Sequence, residues 1–217
     1  PLGMALAAGQ HSVEHPRIFL FECYRGAAEF RALPDPVAAY TTDMRARFID
    51  EHDPVRCAEL MAAMAASDTW WTPTLQVLRM SALAGNREFR EDPRRRYIPF
   101  ILWAGLWQPD ADRAVAHARH ASGRDVDAEL YRLAMDDVRQ AHAAGVRIVA
   151  GTDAGDTYVF PGFAIHDELA ELVRAGLAPT DALRSATIDA ARFSGKAREY
   201  GSIEAGKVAD MILLDAN

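Results

Sequence analysis

The sequence predicts an α/β fold in which short buried strands alternate with amphipathic helices, and three observations lead there. Half of the 217 residues are hydrophobic, enough for one sizeable core. Residues 145–155 hold a short apolar run with Val146, Ile148 and Val149 that ends on Asp153, between Gly151 and Gly155. β-Branched residues in a run too short for an ordinary helix suit a fully buried parallel strand. Helical periodicity over 126–144 leads into that run and resumes after it, as parallel strand–helix units require. Alternation places Arg147, Val149, Gly151 and Asp153 on one face, with the carboxylate at the strand's C-terminal tip. An acid buried there needs a metal, a cation or several donors. The alternative is a helix N-cap, a common use of Asp before a new helix.

The earlier elements follow the same grammar. Residues 2–8 are small and apolar, the tail of a helix stopped by Gly9. Residues 11–15 alternate, with His11, Val13 and His15 on one face, and Pro16 ends the ladder. His15 therefore sits at a strand end, as Asp153 does, and reads either as a ligand or as a hydrogen-bonded core histidine. Residues 18–53, with Pro34, Pro36 and weak periodicity, read as loop plus short helix. An amphipathic helix follows over 54–66, with Asp53 as cap and Pro54 at its first position. Residues 68–75 make a second buried strand, whose tip places Trp71 and Thr74 to line a pocket and bind substrate.

Residues 76–125 are a long excursion that reads as a lid-like insertion. Arg94, Arg95 and Arg96 precede an apolar run over 97–107, broken by Pro99 and Gly105 and too short to span a bilayer. A lid over the strand tips is favoured over a subunit contact or a membrane-surface patch. Trp103 and Trp107 would then suit a hydrophobic or aromatic acyl or prolyl substrate. His117 and His120 stand three apart, a spacing that binds metal, but without further ligands they read as an exposed helical face. Beyond Gly155 a helix runs over about 164–175 with His166 in its first turn, placed to touch substrate or to cap. Another helix follows from 179 to Gly195, then a turn over 201–207 and a final strand over 208–214.

The formal charge of −7 argues against a nucleic-acid partner, which calls for a basic face. Cys23 and Cys57 are too few for a disulfide framework and lack metal-type spacing, so a reducing compartment is the default. No secretory signal and no membrane span is visible, which makes the cytoplasm the default location. Residues 1–4 read as a tag remnant before a start methionine or as a chain entered in mid-fold.

These residues resemble the amidohydrolase superfamily, in its imidazolonepropionase-like and Xaa-Pro dipeptidase-like branch. Four stretches carry the likeness: 9–15 with His11 and His15, 145–155 with the Gly-Thr-Asp-Ala-Gly end, 175–192, and 201–215. Their order and spacing agree with that superfamily. The resemblance implies a (β/α)8 TIM barrel with its site at the C-terminal strand ends, beside a small composite β-sandwich. By that likeness His15 matches the sixth-strand metal ligand, and Asp153 the eighth-strand aspartate that binds metal and passes a proton to the departing nitrogen. It also implies a partial barrel over 1–198 and a sandwich segment over 199–217.

The implied cofactor is a divalent metal, zinc foremost, as one or two ions in the complete enzyme. The implied reaction is hydrolysis of an amide or peptide-like C–N bond in a small-molecule or peptide-like substrate. A single-metal deaminase and a non-catalytic remnant or interaction module are the alternatives. Strands one to five have no counterpart: no His-x-His pair precedes His15, and no lysine precedes Lys196. At about 30 residues per strand–helix unit, over about a hundred residues are wanting upstream. The chain thus reads as a C-terminal portion, inactive alone, whose open barrel edge an N-terminal half or a second chain must cover.

Overall fold

Three strands, β1 (Ser12–Glu14), β2 (Trp70–Thr72) and β3 (Arg147–Ile148), pair in parallel in the order β1-β2-β3 in the computed structural model, which describes residues 1–215. The register aligns Val13 with Trp71 and Trp71 with Ile148. That row is buried in one core with Phe19, Leu130 and Val138, on the face the helices cover. The neighbouring row of Ser12, Trp70 and Arg147 is half-buried or exposed. The strand expected to be fully buried is therefore closed over on one face only; on the other, Phe193 reaches the Trp70 ring but leaves the row half-buried or exposed.

Helix α1 (Leu2–Ala7) enters β1, and Gly9 takes the left-handed conformation that ends it, φ 68°. The crossover to β2 holds α2 (Arg17–Glu22), α3 (Ala27–Arg31), α4 (Thr42–Asp50) and α5 (Pro54–Ala65). Residues 18–53 thus hold three short helices joined by loops, where loop plus one short helix was expected. Helices of this length carry too little periodicity to read, and here aromatic packing defines them: Phe21, Phe30 and Tyr40 all meet the Phe48 ring. Helix α5 starts as its sequence dictates, Asp53 Oδ1 accepting the Val55 and Arg56 N–H groups at 3.0 and 3.1 Å. The two cysteines, too few for a disulfide framework by the sequence, form a single disulfide between the end of α2 and α5, with Cα atoms 4.9 Å apart, against the default of a reducing compartment.

The second crossover holds α6 (Leu75–Leu83), α7 (Arg87–Arg90), a 3-10 turn (Pro93–Tyr97), α8 (Phe100–Leu102), a π-helical turn (Trp103–Trp107), α9 (Gln108–Ala118) and α10 (Val126–Ala143). Its outer part builds a second core, Met80, Ala84, Trp107 and Ala111 packing on Tyr158 and Phe160 from the segment after β3. Arg94 ties it down, donating to Asp92 and Asp167 at 2.7 Å each and lying over the Phe160 ring. His117 ends α9 while His120 lies in the turn beyond, 3.3 Å from Asp43, so the two do not share a helical face.

Beyond β3 come α11 (Ala164–Arg174), α12 (Pro179–Ala186) and α13 (Ile188–Phe193). The single helix expected over 179–195 is broken at Thr187, whose φ and ψ of −123° and −98° leave the helical region. The strand expected over 208–214 does not form: this stretch pairs with no strand, and Ile212 and Leu213 are 88 % and 98 % exposed. The sandwich segment placed over 199–217 therefore has no sheet among the described residues, and its last two residues lie outside them. Extended chain becomes a strand only against a partner edge, and none reaches it. Among the described residues no helix is long and apolar enough to cross a membrane.

Candidate active site

The backbone marks one end of the sheet. His15, Thr74 and Asp153 follow the C-terminal ends of β1, β2 and β3 in turn, and all three hold positive φ angles, 69°, 42° and 56°. Such left-handed geometry in non-glycine residues costs about 1–3 kcal/mol each and persists where surrounding structure over-determines it. Regular bonding runs up to the bend: the His15 N–H donates to the Thr72 carbonyl at 2.9 Å, and the Val149 N–H to the Trp71 carbonyl at 3.0 Å.

His15 is half-buried and held at two points. Its Nδ1 lies 2.9 Å from Thr74 Oγ1, and the Trp71 indole N–H donates to its carbonyl at 3.1 Å. The ring thus keeps Nε2 free among the described residues, the arrangement in which an imidazole serves as a ligand. Two residues expected to bind substrate have this supporting part instead. Trp71 is 0 % exposed, its ring edge-on to Phe19, so no substrate reaches it. Thr74 is buried and spends its hydroxyl on the imidazole. His166 lies in the first turn of α11, as expected, with its side chain exposed.

Asp153 is exposed at the same rim. The N-cap alternative falls away, because the next helix begins at Ala164 with Phe163 as its cap. The alternation that placed Asp153 on the face of Arg147 also fails: β3 ends at Ile148, and the chain turns left-handed at the acid itself. Gly151 is required on the way, since a Cβ there would overlap Thr72 Cγ2. His15 and Asp153 share an end of the sheet, although β2 separates their strands, so they are not on adjacent strands. They offer two side chains of ligand type; among the described residues the one compact group of three such side chains is elsewhere, at Cys23, His52 and Cys57.

A cleft of about 590 Å³ is lined by Arg17, two residues past His15, and by Asp156, three past Asp153, with Tyr40, Arg45, Asp110 and His117; His15 and Asp153 themselves do not line it. Burial raises the Asp156 carboxyl above its ordinary range, the Asp153 and Asp110 charges add to that, and Arg17 opposes it. Behind the rim Glu168 is wholly buried, accepting the Leu75 and Gln76 N–H groups at 2.8 and 3.2 Å. Burial outweighs those bonds and pushes its pKa up to about 8. Sequence reasoning missed Arg17, Asp110 and Asp156. The position of Asp156 three residues beyond Asp153 was a usable signal, whereas nothing local to Asp110 distinguishes it.

Residues 110–217 match the Amidohydrolase family. A probable imidazolonepropionase from Nematostella vectensis is 36% identical over 89 residues, 41% of this chain and 20% of the relative. A 5-methylthioadenosine/S-adenosylhomocysteine deaminase from Moorella thermoacetica is 36% identical over 85 residues, covering 36% and 20%. The chain thus spans about a fifth of the length of these curated relatives. The crystal structure of a Xaa-Pro dipeptidase with bound methionine in the active site superposes with a TM-score of 0.50 at 22% identity, over 96% of this chain and 34% of that one. At that identity the likeness concerns the fold: α/β, with a parallel sheet.

Proposed function

The chain carries an amidohydrolase-family domain over residues 110–217, and on that premise we propose that His15 and Asp153 are two ligands of a divalent-metal site that cleaves C–N bonds. In this reading β1, β2 and β3 are the sixth, seventh and eighth strands of a TIM barrel, whose active site lies at the C-terminal strand ends. The observation that carries it is the rim itself: two ligating side chains from distant parts of the chain, at one end of a parallel sheet, each on strained backbone.

An imidazole nitrogen with a carboxylate suits zinc and related divalent ions, which need at least one more protein ligand for a catalytic site. When bound, such an ion acidifies water and polarises the scissile carbonyl. The chain's own residues do the rest. Thr74 holds the His15 ring at Nδ1 and the Trp71 indole holds its carbonyl, which leaves Nε2 without a protein partner among the described residues and available to an ion. Asp153, exposed and capping no helix, is free to accept a proton from water and deliver it to the departing nitrogen. The insertion walls the rim through Trp107 on Tyr158 and Phe160; Trp107 is itself buried, so it cannot contact substrate as the sequence reading had it.

The remaining ligands come from further barrel strands, in a longer chain or a second polypeptide, which would also cover the free edge of β1. The imidazolonepropionase relative favours hydrolysis of an amide-type bond, and the deaminase relative supports a second reading in which the nitrogen leaves as ammonia. The test is divalent-metal-dependent turnover of cyclic amides, dipeptides and amino-purines by the 217 residues alone and after the missing strands are supplied. Negligible activity alone, and activity on assembly that Asp153→Asn abolishes, are expected. Robust turnover by the chain alone would overturn the incompleteness, and assembled activity indifferent to Asp153→Asn would overturn the site.

A further inference from the structure

Away from the rim, on the helix-covered side of the sheet, four side chains from four elements meet, three of them buried and His52 half-buried. Cys23 ends α2, His52 follows α4, Cys57 lies in α5 and Asp137 in α10. Cys23, Cys57 and Asp137 are each 0 % exposed. His52 is fixed by an antiparallel bridge with Tyr24, so backbone and side chains converge independently. The donor atoms of Cys23, His52 and Cys57 all lie within 4.8 Å of one another. Cys57 Sγ is 3.7 Å from His52 Nε2 and 3.7 Å from Asp137 Oδ1, and His52 Nε2 is 3.4 Å from the same oxygen. The second carboxylate oxygen, Asp137 Oδ2, is buried with no partner.

The separations among Cys57, His52 and Asp137 match edges of a coordination tetrahedron, and on reduction the two sulfurs, now bonded to each other, part to the sulfur-to-sulfur edge of about 3.8 Å. With metal–sulfur bonds of about 2.3 Å and metal–nitrogen or metal–oxygen bonds of about 2.0–2.1 Å, tetrahedral geometry sets sulfur-to-nitrogen and sulfur-to-oxygen edges at about 3.6 Å and the nitrogen-to-oxygen edge at about 3.3 Å. We propose that Cys23, His52, Cys57 and Asp137 form a closed, four-ligand site for a zinc-class divalent cation when the Cys23–Cys57 disulfide is reduced. Disulfide and cation are alternatives, each joining α2 to α5. A dithiol reductant delivers two electrons and two protons to the S–S bond and becomes a cyclic disulfide itself. Binding the cation then displaces one proton from each thiol. A site with four protein ligands and no open position stabilises structure and leaves no room for substrate.

The test is anaerobic titration of the full chain with Co²⁺, after dithiol reduction and removal of the reductant. The chain has two cysteines, so a thiolate-to-cobalt charge-transfer band with the strong visible bands of tetrahedral cobalt reports on this site and not on His15 and Asp153. Saturation at one equivalent, displacement by zinc and no band in the oxidised chain are expected. His15→Ala with Asp153→Ala leaves the band intact, while His52→Ala and Asp137→Asn each weaken cobalt affinity by more than about tenfold. Reduced, natively folded chain without the band would overturn the proposal, as would affinity unchanged in both ligand variants. Should Asp137→Asn not fold, alkylation of the unsubstituted chain decides: zinc slows iodoacetamide modification of both cysteines, and equal rates with and without zinc would sink the site.

Discussion

Asp153 and Thr74 hold backbone angles that neither side chain favours, a β-branched residue least of all. What they gain is placement at the rim, so relaxing the backbone there should separate stability from function. Asp153→Gly is expected to leave the unfolding free energy unchanged or to raise it by up to about 1 kcal/mol, measured by urea denaturation, while removing any rim metal affinity. A loss of more than about 1 kcal/mol would mean that the carboxylate supports the fold. Gly151 makes the opposite case. Because a Cβ there meets Thr72 Cγ2, Gly151→Ala should cost about 1–3 kcal/mol by overpacking. Pairing it with Thr72→Ser, which deletes that methyl group, should recover most of the loss in a double-mutant cycle.

At the scale of elements, α11 supports the first turn of α6 through one buried carboxyl, Glu168. Its folded pKa is about 8 against an ordinary 4.5. Below the lower value both folded and unfolded chains hold the proton, and above the higher value both have lost it. Between them the unfolded chain releases its proton while the folded one keeps it, so stability falls as pH rises through that window. Glu168→Gln should flatten the fall of the melting temperature between pH 4.5 and about 8, and an unchanged slope would place the titration elsewhere. The insertion is bound to the same helix by Arg94, whose guanidinium bridges Asp92 and Asp167. It therefore moves with α11 and the rim.

Over the whole molecule, the C-terminal stretch presents apolar side chains that nothing among the described residues covers. Ile212, Leu213 and Leu214 are exposed along a stretch with no ladder partner. Since none of the three packs on the core, Ile212→Asp with Leu213→Asp should change unfolding stability by no more than about 0.5 kcal/mol while lowering self-association in analytical ultracentrifugation. A marked loss of stability would show that this segment docks on its own domain.

Much of the fold was legible because its signals are local. The Asp53 cap with Pro54, the Gly9 and Gly176 stops and the β-branched run before Asp153 each follow from a few adjacent residues. They placed α5, α10, α11 and the positions of the three strands along the chain, and with them His15 and Asp153 beyond strand ends. What long-range packing settles had no such signal. Trp71 and Thr74 stand at a strand tip in the sequence, and only the core shows one buried under helices and the other bonded to an imidazole. Cys23 and Cys57 lie 34 residues apart, a spacing that suggests neither a bond nor a ligand pair. They meet because the α2–α5 crossover folds back on itself, and Asp137 joins them from α10, the last helix of the second crossover. The sequence alone determined which chemistry follows each strand; the tertiary structure decided where the strands stop and which of those groups meet, since pairing, burial and contact belong to distant partners.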